Sequence, residues 1–266
     1  MAELEVVAAV AVLSSFCAGL MGIGGGIIMA PILLYMPHVF HVPGFPIKLV
    51  ATLTIIQDLV GSMSAALTHH KYRFLNRELL LHMGIGIGVS AFVGGLLSHY
   101  AAENHIAGAL TFFITVAAVS MVLSNTAAFQ PETADGQYRR GRATLVSVFI
   151  GLIAGFIGQG SAFILIPSML LVLRLPLRVA VSNALGVVFC ASLGGFLGKW
   201  GTHPIPVLWV LILLAAAAPS AYLGTYVSHR ASSRVVRILL TVLLVVAALE
   251  AWRQVLFTGV GRGSHQ

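Results

Sequence analysis

Polar positions are rare along this chain, and long apolar runs follow one another almost without a break. Apolar stretches fall at residues 4–36, 47–67, 79–98, 106–124, 143–173, 177–198, 207–228 and 235–257. Most are about 20 residues long, the length an α-helix needs to cross a hydrocarbon core of about 30 Å. None shows the ten-residue alternation of a transmembrane barrel strand. The pattern predicts an all-α integral membrane protein. One long polar stretch, 125–142, holds Pro131, Glu132, Asp135 and the run Arg139-Arg140-Gly141-Arg142. It reads as a linker between a four-segment repeat at 1–124 and a second at 143–258, with a short tail at 259–266.

The two halves match in register. At an offset of 136, Ala18, Gly19, Gly22, Gly24, Ile28, Pro31 and Leu34 recur as Ala154, Gly155, Gly158, Gly160, Ile164, Pro167 and Leu170. Further on the offset is 130: Lys48 aligns with Arg178 and Thr52 with Ser182. Ser90-Ala91-Phe92-Val93-Gly94 aligns in the same way with Ser220-Ala221-Tyr222-Leu223-Gly224. A register held over this length points to an internal duplication.

The first segment of each half departs from the rest. Residues 4–36 as one helix would run about 50 Å, well beyond the core. Gly22 and Gly24 to Gly26, followed by Pro31, are poor helix formers. Segments 1 and 5 are therefore either broken helices that cross once or hairpins that dip in and return. Charge separates the two readings. With single crossings the Lys and Arg residues split nine to six between the faces. With hairpins, Lys71, Arg73, Arg77, Arg139, Arg140, Arg142, Arg174, Arg178, Arg230, Arg234 and Arg237 share one face, and Lys48, Lys199, Arg253 and Arg262 the other, eleven plus four of the 15. The excess of basic residues expected on the cytoplasmic side favours the hairpin. It would also leave three crossings per half and make the repeats inverted.

Composition strengthens the class. Of 266 residues 58% are hydrophobic and 9% charged, with a mean hydropathy of +0.97. A soluble domain carries about 25% charged residues. The formal net charge of +7 comes from basic residues in short loops, so orientation in the membrane accounts for it and no nucleic acid is needed. The acidic start Met1-Ala2-Glu3-Leu4-Glu5 is unlike the basic region of a signal peptide, so the first apolar run is expected in the mature protein. Cys17 and Cys190 lie inside apolar segments and read as small buried side chains.

Candidate chemistry centres on the duplicated glycine clusters. Backbone that leaves helical form at membrane depth must be buried in protein or line a wet cavity. Gly22, Gly24, Gly25 and Gly26, and Gly158 to Ser161 in the second copy, would offer N–H groups beside the positive end of a helix starting at Ile27 or Ala162. Such a place suits an anion. Close helix packing through small residues is the competing explanation; the duplication at a fixed distance from a proline favours the anion. In the second copy Gln159 stands for Ile23 and Ser161 for Gly25, on either side of Gly160, and both side chains donate hydrogen bonds. Lys48 and Arg178 open the next segment of each half, with Thr52, Ser182 and Asn183 one turn later. Snorkelling basic residues at helix ends are the plainer reading of the two cations. Asp58 lies in mid-segment, where a carboxylate costs roughly 2.5–3.5 kcal/mol on insertion scales. It is either a proton carrier coupling transport to an ion or a structural carboxylate paired to a basic or hydroxyl side chain. The histidines lack metal-site spacing, the glycine cluster lacks the Gly-Lys-Ser/Thr of a P-loop, and no catalytic pair is evident. Neither an enzyme nor a cofactor is expected.

These residues resemble the TauE/SafE family of membrane anion transporters. The resemblance rests on Gly19-x-x-Gly22-x-Gly24-Gly25-Gly26 with Pro31, the copy Gly155-x-x-Gly158-x-Gly160-Ser161 with Pro167, and Ala51-Thr52 matched by Val181-Ser182-Asn183. It covers nearly the whole chain and implies a multi-pass protein of the bacterial inner membrane that moves sulfite, sulfonates such as sulfoacetate, or related sulfur-containing anions. The run Gln159-Gly160-Ser161 departs from a plainer glycine pattern. The expected function is a secondary transporter exporting such an anion by alternating access, with H+ or Na+ as coupling ion; a homodimer is a further option. The alternatives are a passive anion channel and an accessory membrane protein without transport.

Overall fold

The computed structural model describes residues 2–21, 24–35, 45–70, 77–124, 140–158, 162–200, 207–230 and 232–257. Within these, the chain forms α1 (Ala2–Met21), α2 (Gly26–Tyr35), α3 (Ile47–His70), α4 (Arg77–Ser98), α5 (Glu103–Ser124), α6 (Arg140–Ile157), α7 (Ala162–Leu171), α8 (Leu177–Gly198), α9 (Val207–Arg230) and α10 (Ser233–Phe257), with no strand among the described residues. Eight of these helices, all but the short α2 and α7, are long and apolar enough to cross a membrane. The expected all-α membrane fold is thus present. The proposed linker and tail, 125–142 and 259–266, lie outside the described residues except for Arg140 to Arg142, which open α6.

Helices α3 and α8 form the centre. Within the membrane-crossing window of each, 72% is buried, against 28–44% for the other six. Around this pair the halves interleave. Helix α4 of the first half packs on α6 and α8, and α9 of the second half packs on α1 and α3. The contacts repeat with the sequence register. A side chain at Gly19 would overlap the Ala221 carbonyl, and one at Gly155 the Ala91 carbonyl; a side chain at Gly224 would meet Phe16 O, and one at Gly94 Leu152 O. These are the same pairs shifted by 136 on one helix and 130 on the other. Without a hydrophobic force between helices in lipid, small residues that let backbones touch supply much of the packing. That explains why the glycines outside the breaks are duplicated along with them.

Contacts also give the directions. Phe45 and Trp209 stack at 5.8 Å near the starts of α3 and α9, and Ser64 Oγ donates to Ala218 O at 2.8 Å further along, so α3 and α9 are parallel. Helices α4 and α6 are parallel as well, through Arg140–Glu78 and His82–Thr144. Helix α3 meets α8 head to tail: the first turns of α3 adjoin Gly195 and Lys199 at the far end of α8. Helix α2 runs back against α3, with Gly26 beside Asp58 and Leu34 beside Val50 and Ala51. Helix α1 runs with α9, placing Gly19 against Ala221 and Val10 in one cluster with Leu213. The first segment is therefore a hairpin, a long arm α1 and a half-length return α2. Its long arm passes the middle of the bundle, because Gln57, at the middle of α3, bonds to Ser14 and Ser15, six or more residues before the end of α1. Among the described basic residues, Arg77, Arg140, Arg142, Arg174, Arg178, Arg230, Arg234 and Arg237 then lie on the face where α3 ends, and Lys48, Lys199 and Arg253 on the opposite, cation-poor face.

Candidate functional site

The described parts of both breaks converge on one stretch of α3, from Ala51 to Asp58. At the first break Gly24 has φ +73°, which L side chains rarely adopt. Gly26 opens α2 by donating its N–H to Asp58 Oδ1 at 2.9 Å. A side chain at Gly25 would collide with the Gln57 amide, and one at Gly26 would lie 2.8 Å from Asp58 Oδ2. At the second break Gly158 has φ +83°, and its carbonyl accepts a hydrogen bond from Thr54 Oγ1 at 2.8 Å. Thr54 also packs against Gly26, its Cβ 3.4 Å from the position a Gly26 side chain would take. One hydroxyl-bearing residue, a third of the way along α3, thus touches both breaks.

The two breaks carry opposite electrostatics. Asp58 is 1% exposed and stands where the positive end of α2 would attract an anion. The first break is therefore occupied by the protein's own carboxylate. A polar network surrounds it: Gln57 Nε2 donates to Ser14 Oγ and to Ser15 Oγ, the latter at 3.1 Å, and Ser62 Oγ donates to Asp58 O. At the second break, among the described residues, an ammonium lies beside Gly158. Lys199 caps the C-terminus of α8, one residue past the span Val179–Gly198. It is 4% exposed, and its Nζ donates to Ser98 Oγ at 2.8 Å and Phe156 O at 3.2 Å. Its Cε lies 2.9 Å from where a Gly158 side chain would be. Burial, with the nearby positive charge of Lys48, lowers its pKa to about 8.

The residues expected at the site divide accordingly. Gly24, Gly25, Gly26 and Asp58 are brought together. Lys48, half-buried in the first turn of α3, lies towards the second break, with Thr52 bonded to its carbonyl at 2.8 Å. Ser182 and Asn183 are buried in the second turn of α8, Asn183 donating to Val179 O at 2.8 Å. Arg178 opens α8 on the basic face. Because Lys48 is level with Lys199 at the other end of α8, 21 residues from Arg178, the aligned cations stand about 30 Å apart along the axis. They do not face one anion together. Gly22, Gln159, Gly160 and Ser161 lie outside the described residues.

Sequence reasoning singled out neither Thr54 as the bridge between the breaks nor Lys199 as part of a site. Thr54 was legible only as a hydroxyl near Thr52. Lys199 aligns with His69 in the other half, so the repeat gave it no counterpart of like charge. Its one signal was position: a lysine on the face that otherwise holds few cations.

Comparison with known proteins agrees with this architecture. The family model of the sulfite exporter TauE/SafE matches residues 7–251. The probable membrane transporter protein YunE of Bacillus subtilis strain 168 is 21% identical over 248 residues, covering 87% of this chain and 90% of that protein. The probable membrane transporter protein MJ0441 of Methanocaldococcus jannaschii is 25% identical over 240 residues, covering 86% and 88%. No solved structure matches the chain. A duplicated helical bundle with two glycine breaks meeting at its central helix, matched over nearly its full length by this family model, belongs to the TauE/SafE family of membrane transporters.

Proposed function

We propose that this protein is a secondary active transporter of the bacterial inner membrane that exports a small sulfur-containing anion, sulfite or an organosulfonate such as sulfoacetate. Access alternates as the two interleaved halves, acting as inverted repeats, rock about the breaks, and an H+ or Na+ gradient drives the cycle. The observation that carries this reading is the meeting of Gly26 and Gly158 at Thr54, since non-helical backbone at membrane depth is tolerated where it lines a cavity or is enclosed in protein. The opposite directions of α3 and α8, aligned by the repeat, support two related gates facing opposite sides. The description of the matching family as sulfite exporters supports the substrate class. The test is uptake into proteoliposomes of purified protein, with sulfite or sulfoacetate outside and a pH or sodium gradient imposed. Accumulation above the external concentration is expected. Flux that only relaxes the anion gradient, or no flux of either anion, would overturn it.

A further inference from the structure

We propose that the first break binds a monovalent cation, sodium, between the Asp58 carboxylate, the Gln57 amide oxygen and the Ser192 hydroxyl. This names the coupling ion of the transport reading above and rests on it. The observation behind it is a pair of buried oxygens. Among the described residues, the buried side-chain polar atoms without a hydrogen-bond partner are Gln57 Oε1 and Ser192 Oγ, on residues 1% and 2% exposed. Buried polar atoms are nearly always bonded to protein, ordered water or an ion, so such a pair asks for a partner of its own. Both oxygens belong to the surroundings of Asp58, the only acidic residue of the span Lys48–Leu67. A carboxylate at that depth marks a functional site by default.

Local bonding fixes which end of the Gln57 amide is left over. Ser14 Oγ gives its proton to Val10 O at 2.5 Å, so it can only accept from Gln57, which must approach through Nε2. The same amide lies along the break: its Cδ is 3.0 Å from where a Gly25 side chain would be. Asp58 Oδ1 is 3.0 Å from the equivalent point at Gly24, and Oδ2 2.8 Å from that at Gly26. Amide and carboxylate therefore sit side by side on three consecutive glycines. Ser192 comes from across the bundle. A Gly195 side chain would lie 3.6 Å from Ile55 Cδ1, and α3 and α8 run in opposite directions. Three residues on from Ile55 is Asp58 and three back from Gly195 is Ser192; each step stays on one helix face, so the two are level on facing sides. Ser62, the counterpart of Ser192 at the offset of 130, donates to Asp58 O within its own helix, whereas Ser192 makes no such bond. Every group offered here is an oxygen, which suits a hard cation. One carboxylate among neutral oxygens balances one positive charge, which favours sodium over calcium or magnesium. With about four lone-pair sites, the carboxylate that caps α2 can ligate a cation as well. Sodium bound there would tie α2, α3 and α8 together at the centre of the bundle.

The experiment compares wild type, Ser192→Ala and Asp58→Asn as full-length purified protein at one pH. Each is titrated with sodium chloride by thermal shift at constant ionic strength, with potassium or choline chloride as the balance. Each is also assayed for sulfite and sulfoacetate uptake in proteoliposomes, with a sodium gradient or a pH gradient imposed. Wild type is expected to gain Tm with sodium but not with potassium or choline, as a ligand of the folded state requires. Ser192→Ala should need roughly three- to tenfold more sodium for the same shift, and Asp58→Asn about tenfold more or beyond, with uptake retained at saturating sodium. No sodium-specific shift in wild type, or an unchanged sodium midpoint in either folded variant, overturns the site. Uptake that follows a pH gradient and ignores sodium overturns the site and leaves the transport reading standing. Wild type that binds sodium through these residues yet moves neither anion leaves the site standing and overturns the transport reading.

Discussion

Replacing Asp58 separates its two readings. Its carboxylate caps a helix of only ten residues, through a 2.9 Å bond from Gly26 N–H. A hydrogen bond to a charged group contributes about 1.5–3 kcal/mol, and a negative charge at a helix N-terminus about 0.3–1 kcal/mol, rising to about 2 when partly buried. Asp58→Ala removes both and orphans an N–H where no lipid can satisfy it, so a loss of roughly 2–4 kcal/mol is expected. Asp58→Asn keeps a carbonyl acceptor and no longer buries a charge, so its loss should be about 1 kcal/mol or less. The assay is reversible unfolding in mixed micelles by SDS titration, with transport measured on the same preparations. A cap predicts the order wild type, Asn, Ala in stability, and Asp58→Asn should keep its transport and its pH dependence. A proton carrier predicts instead that Asn and Ala lose pH-dependent transport alike. Asp58→Ala as stable as wild type would refute the cap.

Other positions test the packing. Gly19→Ala and Gly155→Ala should each destabilise by about 1–3 kcal/mol or more, since each new methyl meets backbone of the facing helix; SDS unfolding reads the loss, and one variant much milder than the other would contradict the reciprocal packing. Gly108→Ala, which meets nothing within 4 Å inside α5, should stabilise by about 0.5–1 kcal/mol through helix propensity, and a loss in the same assay would show an unseen contact. Thr54→Val keeps the shape but strands the Gly158 carbonyl, costing about 1–3 kcal/mol and lowering uptake; wild-type uptake would remove Thr54 from the meeting point of the breaks.

Much of this protein was legible in the sequence because it depends on local pattern. Apolar runs near the length of the hydrocarbon core mark the eight long helices, and the observed helices fall within a few residues of those runs. The duplicated glycines Gly19 and Gly155 were legible as a pair, though their contacts with Ala221 and Ala91 were not. The charge split pointed to a hairpin, and α2 running back along α3 agrees with it. What the tertiary structure decided is which repeated residues share a place. Lys48 and Arg178 align in sequence, yet α3 and α8 run in opposite directions, so the two positions open their helices at opposite ends of the bundle. Lys199 and Gly158 lie 41 residues apart, and the repeat gives Lys199 no counterpart of like charge, yet the end of α8 folds against the end of α6 and puts an ammonium at the break. Periodicity is set by neighbours along the chain and survives in a string of letters. The charge at a buried site is set by whichever helix packs across it, and only the fold says which that is.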